Sequence, residues 1–189
     1  MHNTQVQDLA EAIGRGADII VVDPRFSTAA GKARHWLPIK PGTDTALLLA
    51  WMHVIVKERL YDEDYVEQNA VGMQELSEHL EDKTPEWAFT RTTIPPEKIR
   101  ETARLIAGAR PASLIHPGRR TAWYGDDTQR SRAIAILNAL LGNYGRKGGF
   151  YLPATAPVPG YGYPKYAHKP RPPADTPKGQ VFPFASSPL

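Results

Sequence analysis

The segment Asp18-Ile19-Ile20-Val21-Val22 constrains this chain more than any other. It is apolar on both faces and rich in β-branched residues. Strands of that kind belong to parallel sheets covered by helices on both sides. Before it, Val6, Leu9, Ala10 and Ile13 follow helical spacing over Thr4–Ile13, and Gly14 and Gly16 supply stop signals. Helix, short turn and buried strand form one half of a doubly wound unit. The expected fold class is therefore α/β, a parallel sheet flanked by helices.

The strand run ends abruptly in Asp23-Pro24-Arg25. A second, shorter extended piece, Trp36-Leu37-Pro38-Ile39, ends in Pro41-Gly42-Thr43-Asp44. Both stops place a carboxylate beside a proline turn. Thr43 has the position of an N-cap and Asp44 that of a first-turn acid for a helix over Thr45–Leu60, apolar around most of its circumference and so expected to be buried. Short polar helices are expected over Asp62–Asn69 and Gln74–Asp82. A short helix and then a proline-initiated one follow within 84–109; in the latter Ile99, Ala103 and Ile106 share a face and Gly108 ends it. Ala112–His116 reads as a second buried strand, followed by Pro117-Gly118-Arg119-Arg120. A helix over Thr128–Leu141 carries Ile134, Leu137 and Leu141 on one stripe, with Gly142 as its C-cap.

Composition changes after Phe150. Ten of the 18 prolines lie in 151–189. The domain division expected is an α/β domain over 1–152 and a proline-rich, extended or disordered segment over 153–189. The net charge is +3, all of it in that tail, where Lys165, Lys169, Arg171 and Lys178 face Asp175 alone. Such a balance gives no argument for a nucleic-acid partner. With no cysteine, the chain offers no thiolate metal ligand, iron–sulfur ligand or cysteine nucleophile. Its start lacks the basic and apolar stretches of a signal peptide, and Ala46–Val56 falls short of the roughly 18 apolar residues a membrane span needs. The chain as given is expected to be soluble.

In open α/β sheets, ligands bind beyond the carboxyl ends of the strands. Asp23 stands there, able to accept hydrogen bonds from ribose hydroxyls or from a guanine edge. Arg25 is a planar donor fork suited to phosphate. Gly42 permits close backbone approach, and the amides opening the next helix favour an anion or carbonyl oxygen. These are the parts of a nucleotide site. The same residues also serve simply as a turn and a helix cap, and the residues alone leave both readings open. Arg146-Lys147-Gly148-Gly149 is a candidate phosphate loop or a solvated turn; His116 is a candidate substrate contact or a satisfied buried histidine. No G-x-G-x-x-G is present.

The stretch "IIVVDPRFSTAAGKARHWLPIKPGTDTALLLAWMHVIVKERLYDEDYV" resembles the molybdopterin oxidoreductases of the dimethyl sulfoxide reductase family: an apolar strand, D-P-R, small residues, then P-G-T-D-x-A-L over Pro41–Leu47. "PGRRTAWYGDDTQRSRAIAILNALLGNYGRKGGFYLP" is similar to the polysulfide and thiosulfate reductase branch. The resemblance covers Met1–Pro153. It implies a Rossmann-like domain that grips the guanine end of one dinucleotide of bis(molybdopterin guanine dinucleotide) molybdenum. It implies that Asp23, Pro24, Arg25, Phe26 and Ser27 line the nucleotide, as do Gly42, Thr43 and Asp44; which carboxylate takes guanine stays open. Met1, His2, Asn3 and Thr4 resemble the downstream half of the family's G-x-N loop, so Met1 is expected to be internal and the chain a fragment. Pro117 and Gly118 resemble part of a loop approaching the metal, where Arg119 or Arg120 would attract an anionic sulfur substrate.

The resemblance further implies a parent enzyme of anaerobic respiration that reduces polysulfide, thiosulfate or a related oxyanion. Its amino- and carboxyl-terminal domains are missing here. The amino-terminal part would carry the iron–sulfur cluster, which this chain does not bind, and the metal's protein ligand, so no residue here is expected to ligate metal; the carboxyl-terminal domain would complete the second dinucleotide site. An iron–sulfur electron-transfer subunit and a membrane-anchor subunit are the expected partners, and a periplasmic or membrane-associated location the expected one. Half of such a cofactor clamp leaves the chain alone inactive. The alternative is a stand-alone, non-catalytic nucleotide-binding module; a third reading is a structural interaction domain resting on the proline-rich tail.

Overall fold

The computed structural model describes residues 3–116 and 127–151. The expected boundary at 152/153, the segment 153–189, Met1, His2 and the Pro117–Arg120 loop lie outside them. Helix α1 spans Asn3–Gly14 and leads into strand β1, Ile20–Val22. The connection to β2, His35–Leu37, holds a single 3-10 turn at Ala30–Lys32, where the small residues of 27–33 suggest a short helix. The strands are parallel, with Ile20 opposite His35, Val21 opposite Trp36 and Val22 opposite Leu37. Arg34 fastens the crossover twice: its amide donates to the Ile19 carbonyl at 2.9 Å and its guanidinium to Asp18 at 2.7 Å.

The remaining regular elements among the described residues are helices. Helix α2, Asp44–Lys57, is the central element. Nine of its residues are buried, among them Leu47, Met52 and Ile55 at 1% exposure or less. An apolar residue at nearly every position leaves no polar face, so the helix must be enclosed. It is enclosed by α5 (Pro85–Thr92), α6 (Pro96–Gly108) and α7 (Asp127–Leu140). Ile99, Ala103 and Ile106 face it from α6 as the spacing predicts. Trp51 of α2 satisfies its indole N–H on the Thr102 hydroxyl at 2.9 Å, which lets both bury. Between α2 and α5, Asp62 caps α3 (Glu63–Asn69) through the Tyr65 amide, and α4 (Met73–His79) follows.

The expected parallel sheet is present but small: among the described residues it is a single pair of three-residue strands. Ala112–His116 is not a strand. Its backbone bonds to a side chain: Asn138 of α7 accepts from the Ile115 N–H and donates to the Ile115 carbonyl, both at 3.2 Å. Asn138 also donates to the Ile134 carbonyl and accepts from Asn143 at 2.8 Å, and it is fully buried. A carboxamide presents the donor and acceptor that a neighbouring strand would otherwise supply. Sequence periodicity marks apolar content but cannot tell a ladder partner from an asparagine.

Removing this carboxamide leaves several buried polar groups unpaired at once. Asn138→Ala is expected to lower unfolding free energy by about 3 kcal/mol, read as a reduced urea midpoint. A loss under about 1 kcal/mol would show that the Ile115 backbone finds other partners.

Candidate functional site

Because β1 and β2 are parallel and adjacent, the chain leaves both strands at one edge of the pair. Asp23 follows β1 and its amide donates to the Leu37 carbonyl, at 3.3 Å, where β2 ends. Six residues of loop then bring the chain from β2 to Asp44 at the start of α2. The Asp23–Ser27 and Gly42–Asp44 turns thus stem from neighbouring strand ends, as a strand-end ligand site requires.

The first turn is closed from within. Asp23 Oδ1 accepts from the Arg25 amide at 2.8 Å, the Ser27 amide donates to the Arg25 carbonyl at 2.8 Å, and Ser27 Oγ accepts from the Ala30 amide at 3.3 Å. Asp23 therefore performs the turn role that its position beside proline suggests, with its second oxygen outside that bond. Pro24 and Arg25 are exposed, and Phe26 is 63% exposed. Phe26 meets the Trp36 ring edge-on at 4.8 Å between centroids.

The second turn differs from its expected form. Thr43 does not cap α2 with its side chain; its hydroxyl donates instead to the Lys40 carbonyl at 2.7 Å. Gly42 has φ +80, a backbone state that side-chained residues rarely adopt, and a Cβ there would meet nothing within 4 Å. Open space therefore adjoins the turn. Asp44 lies in the first turn of α2, 3.5 Å from the Arg130 guanidinium of α7. The Lys40 amide donates to the Thr92 carbonyl at 3.1 Å, tying this loop to the end of α5.

Both turns lie at the protein surface, with Pro24–Phe26 and Lys40–Gly42 exposed. Cavities of about 190 Å³, beside His53, Lys57 and Arg100, and about 180 Å³, beside Val71, Met73 and Ile136, border none of the candidate residues. Asn3 and Thr4 open α1. Trp36 and Arg130 touch the two turns but carry no sequence signal for it: one sits within a short extended piece, the other on the polar side of a helix. His116 is exposed, which overturns the expectation of a buried histidine.

Arg146-Lys147-Gly148-Gly149 is a structural latch. Arg146 pairs with Asp62 and lies 4.9 Å from the Tyr65 ring centroid. A Cβ on Gly149 would stand 2.0 Å from the Asn143 carbonyl oxygen, so only glycine fits. The Tyr144 and Phe150 rings stack at 5.5 Å across the loop. Burial alone would raise the Asp62 carboxyl; the Tyr65 amide and the Arg146 guanidinium, helped by Arg110, outweigh it and hold the group below the ordinary aspartate value.

The family model for molybdopterin oxidoreductases matches residues 4–161. The chain belongs to the molybdopterin oxidoreductase family. It is 37% identical over 151 residues to the molybdopterin-containing subunit of thiosulfate reductase from Salmonella typhimurium, covering 80% of this chain and 20% of that protein. A probable dimethyl sulfoxide reductase chain of Escherichia coli is 40% identical over 153 residues, with 70% and 19% covered. The solved structure of acetylene hydratase from Pelobacter acetylenicus superposes with a TM-score of 0.73 at 34% identity, covering 76% of this chain and 20% of that one. The chain thus spans about a fifth of the length of the relatives it matches. Within the described residues, no helix is long and apolar enough to cross a membrane.

The depressed Asp62 value sets a sign. Its stabilisation is complete above the ordinary value of 3.8 and is lost as pH falls through the lower folded value. Asp62→Asn is expected to lose less stability than the parent protein between about pH 6 and about pH 3, followed as the urea midpoint. Equal losses in the two proteins would remove the latch from acid unfolding.

Proposed function

We propose that this chain is the part of a molybdenum-dependent oxidoreductase that holds the guanine end of a molybdopterin guanine dinucleotide. The carrying observation is the parallel register of β1 and β2, which starts both acid-bearing turns from one edge. The residues present fit such a group. Asp23 and Asp44 are hydrogen-bond acceptors for base or ribose, Arg25 is an exposed donor fork for phosphate, and Phe26 offers an exposed ring face. The space beside Gly42 admits a ligand to the backbone. Asn3 and Thr4, the first residues of α1, belong to the same reading together with Met1 and His2.

The relatives support a binding role over a substrate-selecting one. Reductases and a hydratase share this segment at similar identity. A segment common to different reactions serves what they have in common, which is the cofactor. When bound, that cofactor supplies two-electron chemistry at molybdenum; this chain orients its nucleotide end. The whole parent is assigned reduction of thiosulfate, polysulfide or a related oxyanion on its likeness to thiosulfate reductase. Arg119 and Arg120, beside Pro117 and Gly118, would attract the anion. An iron–sulfur subunit and a membrane-anchor subunit complete the proposed assembly. The remainder of the parent supplies the metal ligand and the second half of the clamp, and would cover α1, whose Val6 and Ile13 are exposed. The chain alone is inactive on this reading, and its 1–152 part is the binding domain.

Guanosine diphosphate titrated into the 189-residue chain is expected to bind at least tenfold more tightly than adenosine diphosphate, because only guanine offers N1–H and the exocyclic amine to a carboxylate. Arg25→Ala is expected to weaken binding by about tenfold. Equal affinity for the two nucleotides, or no measurable binding in calorimetry, would overturn the proposal.

A further inference from the structure

We propose that Trp36 is the positioning residue of the nucleotide turn, a role that rests on the binding function proposed above. Trp36 is the middle residue of β2, opposite Val21. Its indole N–H donates to the Asp23 carbonyl at 2.8 Å, while the Asp23 amide bonds to the Leu37 carbonyl. Both main-chain polar groups of Asp23 are therefore held by β2, one by its backbone and one by a side chain. The Asp23 carboxylate in turn holds the Arg25 amide. Three hydrogen bonds on one residue fix the direction in which the chain leaves β1. The same indole supports Phe26 in an edge-to-face contact, with ring planes at 68°.

What Trp36 orders contributes nothing to the core. Pro24, Arg25 and Phe26 are exposed, and the buried cluster is built around α2. A short exposed turn containing a proline and a solvent-facing aromatic would otherwise sample many states. Holding it in one conformation before a ligand arrives reduces the ordering cost of binding. Trp36 need not touch the nucleotide to do this. Its effect passes through the positions of Asp23, Arg25 and Phe26, so its loss should appear in turn order and nucleotide affinity together, with the helical core unchanged.

Trp36→Phe keeps an aromatic ring with strand preference and removes the N–H donor. In that variant, hydrogen exchange at the Arg25 and Ser27 amides is expected to quicken about fivefold, the equivalent of one hydrogen bond of about 1 kcal/mol. The α2 amides should keep their protection, and guanosine diphosphate affinity should fall by a similar factor. Trp51→Phe is the control, since it removes a comparable indole bond, to Thr102, from the core. It should lower stability without quickening Arg25 and Ser27 selectively. Unchanged exchange at those amides in Trp36→Phe overturns the proposal, as does exchange that rises equally across α2 or a Trp51→Phe variant that behaves the same way. If the parent chain binds no guanosine diphosphate, the nucleotide reading fails, while the exchange comparison still decides whether Trp36 holds the turn.

Discussion

The parallel pairing of two three-residue strands is the constraint on which the site depends. Parallel neighbours send the chain out at the same edge, so a turn following β1 and a loop following β2 begin side by side. An antiparallel pair would put them at opposite ends. The pair is too short to be stable from its own ladder. It is supported by the crossover bonds of Arg34, by the Trp36–Asp23 bond and by burial of Leu37 and Ile39 in the cluster around α2. Each fully buried aliphatic side chain of that cluster contributes roughly 1.5–3 kcal/mol.

The helical body does more than fill space. Helix α2 begins at Asp44, so the core that encloses it also anchors the second turn. Helix α7 reaches the same place through Arg130, near Asp44, and at its other end holds the Ile115 backbone through Asn138. One helix thus joins the second turn to the segment leading towards Pro117. The Asn138 and Asn143 carboxamides buried at the second of these joints are paired, as a low-dielectric interior demands. The latch of Asp62, Tyr65 and Arg146 closes the end of the described region in the same way.

Much of this was legible in the residues. The enclosed helix after Asp44 and the stripe of Ile99, Ala103 and Ile106 are strong periodic signals, and both appear; the apolar run at Ile19–Val22 appears as the strand Ile20–Val22, which is half-buried where a fully buried strand is expected. The motif pair Asp23-Pro24-Arg25 and Pro41-Gly42-Thr43-Asp44 pointed to the family, which the comparisons establish. Illegible were the features that depend on side chains from distant segments. Nothing local shows that Asn138 replaces a strand, that Trp36 satisfies Asp23, or that Thr43 turns its hydroxyl to Lys40 instead of capping α2. The basic, glycine-rich run from Arg146 to Gly149 is readable as a phosphate loop or a solvated turn, because the partner that decides its role, Asp62, lies far away in sequence.

Whether the two turns form one nucleotide-binding surface can be read from amide chemical shifts of the isotopically labelled chain during titration with guanosine diphosphate. The largest shift changes are expected on Arg25–Ser27 and on Gly42–Asp44 together, saturating at the same ligand concentration. Changes confined to one of these segments, or centred on residues elsewhere such as Lys57 and Arg100, would contradict it.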